Sequence, residues 1–304
     1  MALSNHCPNV TTNFIDWRGG ALQPNWQMNA SSKASSSDLL GRFREIVSDP
    51  INLLIERVPQ AGFVEDNLVC LHNGNRVQFS GKDAYYEGFS DILVINRGVH
   101  EPLEEFAFQE CLKVLPQFPS MLELGAYWAH YSMWLKKKRP GAAVTMVEPD
   151  ADNLRVGSAN FKLNNYQGEF RQAFVGKDHF EVDAFLESRD ASHLDILHSD
   201  IQGFEVEMLD GASRSLSQNK VNYLFISTHS QELHYEVANK LKSLNYRIEI
   251  SSDFEFETTS YDGLVFASSP LVAPVLDDHL PFGRCDIPGL APADLVARLR
   301  RFLP

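Results

Sequence analysis

Met121-Leu122-Glu123-Leu124-Gly125-Ala126, continued by Tyr127-Trp128-Ala129-His130-Tyr131-Ser132, is the stretch around which the chain is organised. It reads as a short buried strand, a tight turn of small residues and the start of a helix. An acid two positions before a glycine at a strand end suits a nucleotide-type ligand, because small residues let the backbone approach it closely. Further along, Val144-Thr145-Met146-Val147-Glu148-Pro149-Asp150 reads as a second strand ending in a carboxylate. In such a unit a carboxylate at the second strand tip commonly holds ribose hydroxyls. The spacing of the two segments fits one strand-helix-strand crossover. The three-glycine dinucleotide pattern is absent: Gly125 stands alone, with Ala129 where another glycine is expected.

The 304 residues allow one or two domains, and 44% hydrophobic content supplies a large core. No apolar run reaches the roughly eighteen residues of a membrane span. The first residues lack the basic-then-apolar order of a secretory signal. Cys7, Cys70, Cys111 and Cys285 are scattered without metal-ligand spacing, so they read as reduced thiols of a cytoplasmic protein. With 40 acidic against 27 basic residues the net charge is -13, a field that repels polyanions. Nucleic acid is therefore not an expected partner, and nor is a membrane. The one basic run, Lys136-Lys137-Lys138-Arg139, ends a helix and complements its dipole.

Residues 1–37 carry little pattern and form an N-terminal arm. Three readings stay open for it: an ordered lid over the site, a partly disordered segment, or a pairing element of a homodimer. Residues 38–100 read as a helix and hairpin cap. Leu39, Phe43, Ile46 and Val47 share a helix face, and Asn73-Gly74 turns a hairpin between Leu68–Leu71 and Val77–Phe79. A third strand is expected at Asp91–Asn96. Residues 101–304 form the main domain, opened by the helix start Glu101-Pro102-Leu103-Glu104-Glu105. Strands are expected at Met121–Leu124, Ala143–Val147, Glu169–Phe174, Leu194–His198, Tyr223–Thr228, Tyr246–Ile250 and Gly263–Ala267. Helices are expected at 129–138, 150–163, 204–217, 231–244 and 292–303. The alternation predicts an α/β fold with a mainly parallel sheet, whose ligands sit outside the strands' carboxyl ends.

The segment from Leu194 to Ala212, Leu-Asp-Ile-Leu-His-Ser-Asp-Ile-Gln-Gly-Phe-Glu-Val-Glu-Met-Leu-Asp-Gly-Ala, is a strand ending in Asp200, a turn at Gly203 and a helix. Here the chain resembles the FkbM family of S-adenosylmethionine-dependent methyltransferases, from about 85 to 270. The Glu148-Pro149 turn, Asn160-Phe161-Lys162-Leu163-Asn164 and Asp262-Gly263-Leu264 belong to the same likeness. The family usually carries Gly-Ala-Asn-x-Gly after the first strand, where this chain has Tyr127 and Ala129. Gln202 stands at a usual glutamate and His198 at a usual lysine.

The resemblance implies a Rossmann-like class I methyltransferase: a mainly parallel seven-stranded sheet with an antiparallel last strand. It implies S-adenosyl-L-methionine as cofactor and methylation of a hydroxyl on a small molecule, sugar or glycan, or natural product. Glu123, Gly125 and Ala126 would hold the methionine end, with Tyr127, His130 and Ser132 beside them. Glu148 would hold the ribose, flanked by Pro149, Asp150 and Asn153, and Ala173 and Phe174 the adenine. Asp200 and His229, at the ends of neighbouring strands, are the catalytic candidates. An alcohol acceptor needs a base, and histidine accepts protons near neutral pH. Two other roles stay open: His229 as a structural cap of the next helix, and Asp200 as a contact to the cofactor or a metal. Two ligands are too few for a metal, and none is assigned. The alternatives to a methyltransferase are a non-catalytic cofactor-binding scaffold and a nicotinamide-dependent oxidoreductase.

Overall fold

A computed structural model of the chain describes residues 36–85, 90–176, 179–189, 191–276, 282–284 and 286–300. Nearly all of the expected arm, with Cys7, lies outside these residues, as does Cys285. The cap begins with α1 (Ser36–Ser48) and a 3-10 turn (Pro50–Leu53) capped by Asp49, whose carboxylate accepts from Ile51 N–H at 2.9 Å. A small antiparallel sheet follows: β1 (Val64–Glu65), β2 (Leu68–Cys70) and β3 (Arg76–Gln78). The β2–β3 pair is the expected hairpin.

The strand expected at Asp91–Asn96 is instead a helical turn, α2 (Asp91–Ile95). Its β-branched residues favour a strand locally, but Ile92 and Leu93 are adjacent and both fully buried. A strand would send neighbours to opposite faces; a helical turn lets both meet one core. Gly98, at φ 84°, closes the turn by donating to Leu93 O at 2.7 Å. A Cβ there would lie 2.1 Å from His72 N, so the backbones of cap turn and hairpin touch only because this residue is glycine.

The helix α3 (Pro102–Val114) leads into the main sheet: β4 (Ser120–Leu124), β5 (Ala143–Glu148), β6 (Glu169–Gln172), β7 (Leu194–Ser199), β8 (Val221–Thr228), β9 (Arg247–Ser252) and β10 (Gly263–Ser268). The order is β6-β5-β4-β7-β8-β10-β9. Strands β4 to β8 pair in parallel, and β10 runs antiparallel between β8 and β9. From β4 the chain winds outward through β5 and β6, then returns to β7. The switch point therefore lies between β4 and β7, where ligand crevices open in such sheets.

Every residue of β7 is buried, as a parallel strand covered on both faces requires. In β8, Tyr223 and Phe225 face one core while Leu224 and Ile226 face the other. The first core also takes Val69, Leu71 and Ile92 of the cap and Phe108 and Trp134 of the helices, so cap and sheet share one packed cluster. The second core is closed by α6 (Val182–Ser188), α7 (Glu205–Asp210), α8 (Ser213–Ser217) and α9 (Gln231–Ser243). The remaining helices are α4 (His130–Lys138), α5 (Ala151–Leu163), α10 (Asp286–Gly289) and α11 (Pro292–Leu299).

The helix expected over 204–217 is broken into α7 and α8. Asp183 of the unforeseen α6 causes the break: its carboxylate accepts from Arg214 and Ser215 N–H, capping a new helix start. In α9 the buried stripe runs through His234, Val237 and Leu241. His234 is accommodated because Thr228 Oγ1 and Ser251 Oγ each lie 2.9 Å from one of its ring nitrogens.

Candidate active site

The first strand tip bends sharply. Gly125 sits at φ 72°, and a Cβ on it would lie 1.7 Å from the carbonyl oxygen of Asp200. Glycine is needed here first for the close passage of two strand ends, not only for a ligand. Tyr127 (φ 39°) and Ala129 (φ 60°) are also left-handed, so the loop keeps a shape that asparagine and glycine adopt more easily. Glu123, 2% exposed, accepts from Ser132 N–H at 3.1 Å. Burial pushes its carboxyl up, against the opposing pull of His198 and the Ser132 bond.

At the tip of β5, Glu148 binds the same loop. Its Oε2 accepts from Tyr127 N–H at 3.1 Å and its Oε1 from Asp150 N–H at 3.0 Å. Asn153 Nδ2 donates to the same Oε1 at 3.5 Å, so of about four acceptor positions one, on Oε2, is left for a ribose hydroxyl. Asp150 is spent as the cap of α5, accepting from Asp152 and Asn153 N–H.

The third tip carries the titratable cluster. After β7 the chain turns through Gln202 (φ 50°) and Gly203 (φ 104°). Gly203 N–H donates to Glu205 Oε1, and His229 Nδ1 lies 2.5 Å from the same oxygen. The other ring nitrogen of His229 is 3.1 Å from Asp200 Oδ1 and 3.4 Å from Asp262 Oδ1. Burial alone would lower the His229 pKa, but Asp200, Glu205 and Asp262 outweigh it and raise it to about 11. Asp262 is pushed up to about 7, chiefly by burial and partly by the charge of Asp200, with His229 opposing. Ser230, not His229, caps α9, accepting from Leu233 N–H at 3.1 Å.

One cavity of about 530 Å³ joins these tips. Of the residues expected from the sequence, Glu123, Gly125, Ala126, Tyr127, His130, Glu148, Pro149, Asn153, Phe174 and Asp200 line it. Ser132, Asp150 and Ala173 stand behind the wall, and His229 reaches it through Asp200. The far end is built by Tyr85 and His100 from the cap, by Glu101 at the helix start noted in the sequence, and by Tyr261 and Asp262 before β10. Tyr131 Oη donates to Glu101 Oε2 at 3.0 Å. Burial, then the charges of Glu104, Asp200 and Asp262, push the Glu101 carboxyl well up against the pull of His100. His198 also lines the cavity, but its Nε2 is tied to buried Glu104 at 2.7 Å. Among these, the Asp262-Gly263 pair was visible in the sequence only as part of the family likeness.

Sheet order, switch point and acidic strand tips define a Rossmann-like class I methyltransferase fold. The methyltransferase FkbM domain model matches residues 175–248, from the start of the loop after β6 into β9. The match covers 74 of the 304 residues and coincides with the segment whose motifs resemble that family. No curated protein matches the chain. Solved structures overlap it partially. A precorrin-6y C5,15-methyltransferase from Geobacter metallireducens GS-15 is 14% identical, with a TM-score of 0.40 over 55% of this chain and 87% of that one. M. capricolum TrmK, solved with S-adenosyl-homocysteine, is 14% identical, with a TM-score of 0.39 over 64% and 82%. The METTL16 methyltransferase domain is 12% identical, with a TM-score of 0.43 over 55% and 66%. Every one of these scores is below 0.5.

Proposed function

We propose that this chain transfers a methyl group from S-adenosyl-L-methionine to a hydroxyl oxygen of a small molecule, sugar or natural product. The observation that carries the reading is the single cavity running from Glu123, Gly125 and Glu148 to the cluster of Asp200, His229 and Asp262. The cavity's size is within the usual range of about 300–1,000 Å³ for a cofactor site. Glu148 offers an open acceptor position on Oε2 to a ribose hydroxyl, and the small residues Gly125 and Ala126 leave the loop backbone accessible.

S-adenosyl-L-methionine supplies a sulfonium methyl whose departure leaves a neutral thioether. Most of the acceleration then comes from positioning, and the protein's remaining task is the acceptor's proton. Asp262, raised to about 7, is the carboxylate best matched to taking it near neutral pH. His229, at about 11, stays protonated and holds Asp200 and Asp262 in place rather than acting as the base itself.

Isothermal titration with S-adenosylhomocysteine tests the cofactor part. Binding should occur, and Glu148→Ala should weaken it by more than about tenfold, the loss of a charged hydrogen-bond acceptor. Absence of binding by the intact protein would overturn the reading. A panel of hydroxyl acceptors tests the rest: cofactor binding without turnover on any of them favours a non-catalytic module.

A further inference from the structure

We propose that His72, Glu105 and His130 form a buried site for a divalent metal ion of the Zn2+ type, clamping the cap hairpin to the cofactor loop. The three residues come from separate elements. His72 lies in the β2–β3 turn, Glu105 in the first turn of α3, and His130 opens α4 directly after the loop. Each is at most 1% exposed. One ligand atom from each lies within 4.8 Å of the others.

The three groups are held in different ways. Glu105 Oε1 accepts from His100 N–H at 2.8 Å and Glu101 N–H at 3.1 Å. Its Oε2 lies 2.8 Å from His72 Nε2, an ion-pair contact, and His72 Nδ1 faces the carbonyl oxygen of Glu56 at 3.4 Å. A metal ion would take the place of the proton shared between His72 Nε2 and Glu105 Oε2. His130 is the clearest case, since neither ring nitrogen has a partner although the ring is buried. Stacking on Trp128, with centroids 5.0 Å apart, uses only its face. An imidazole buried with both nitrogens unpaired is costly, and a metal bond satisfies one of the two.

Two imidazoles and a carboxylate are a donor set that suits Zn2+. Tetrahedral bonds of about 2.0–2.2 Å hold ligand atoms roughly 3.3 Å apart, so the present gap closes by small side-chain rotations. His100, whose Nδ1 is 2.6 Å from Glu105 Oε1, would orient the carboxylate from outside. His100 and His130 both line the large cavity, which supplies an entry path. The site does not depend on which acceptor the protein uses.

The test uses the full chain, freed of metal with a chelator. Calorimetric titration with Zn2+ and the visible spectrum with Co2+ should show one site per chain. His130→Gln and His72→Gln, with folding checked by circular dichroism, should weaken binding by more than about 100-fold. Asp262→Asn, which removes a carboxylate from the more open group of Asp200, His229 and Asp262, should leave it unchanged. Failure of the wild type to bind either ion overturns the proposal, as does binding that survives both histidine changes. Should neither histidine variant fold, Asp262→Asn decides alone: Co2+ binding retained supports the buried site, and binding lost overturns it.

Discussion

Asp262 and His229 set the pH behaviour of this site at the level of single residues. Asp262 sits at about 7 against an ordinary 3.8, and His229 at about 11 against 6.5. Both are raised in the fold. The Asp262 contribution to stability is thus complete below about 3.8 and lost as pH rises through about 7; that of His229 is complete below 6.5 and lost through about 11. As the cluster titrates together, its apparent values belong to the group. With an acceptor in hand, kcat/KM should rise along a limb centred near 7, and Asp262→Asn should erase that limb. A limb unchanged in the variant would take the base role away from Asp262. Gly125→Ala should be harsher in stability. It places a Cβ 1.7 Å from the Asp200 carbonyl oxygen at φ 72°, so a loss of more than about 2 kcal/mol is expected in chemical denaturation.

At the scale of the element, the β4–α4 loop keeps left-handed turns at Tyr127 and Ala129 without the usual residues for them. Ala129 is fully buried, so replacing it by glycine relieves about 1–2 kcal/mol of strain but loses methyl burial and stiffness of similar size. Ala129→Gly should therefore change stability by less than about 1 kcal/mol. Ala129→Val, a β-branched residue at φ 60°, should cost more than about 2 kcal/mol and weaken S-adenosylhomocysteine binding. Equal melting temperatures for the two variants would show that the loop relaxes and that its backbone shape is not imposed.

For the whole molecule, the common core is the decisive feature. Val69, Leu71 and Ile92 of the cap pack in the same cluster as Phe108, Trp134 and Phe225, leaving no apolar seam along which residues 38–100 separate from 101–304. Calorimetry of the metal-free chain should show one cooperative transition rather than two. A distinct early transition, assigned to the cap by hydrogen exchange, would show that the two parts unfold independently. No helix among the described residues is long and apolar enough to cross a membrane.

The sequence by itself determined the main sheet, because strand tips, turns and helix starts are local signals that repeat along the chain. Seven strands fall within a few residues of their expected places, and Glu123, Gly125 and Glu148 arrive where the acidic tips were expected. Tertiary structure alone decided the rest. Asp91–Asn96 became a helical turn because two adjacent side chains had to reach one core. The helix after Asp200 broke because Asp183, from a distant element, capped its second half. The same holds for the groups that surround the chemistry: His229 becomes an imidazolium only where Asp200, Glu205 and Asp262 converge on it, and His72, Glu105 and His130 meet only once hairpin and helices are packed. Local pattern fixes where a side chain starts; charge and proton affinity depend on neighbours that are far away along the chain.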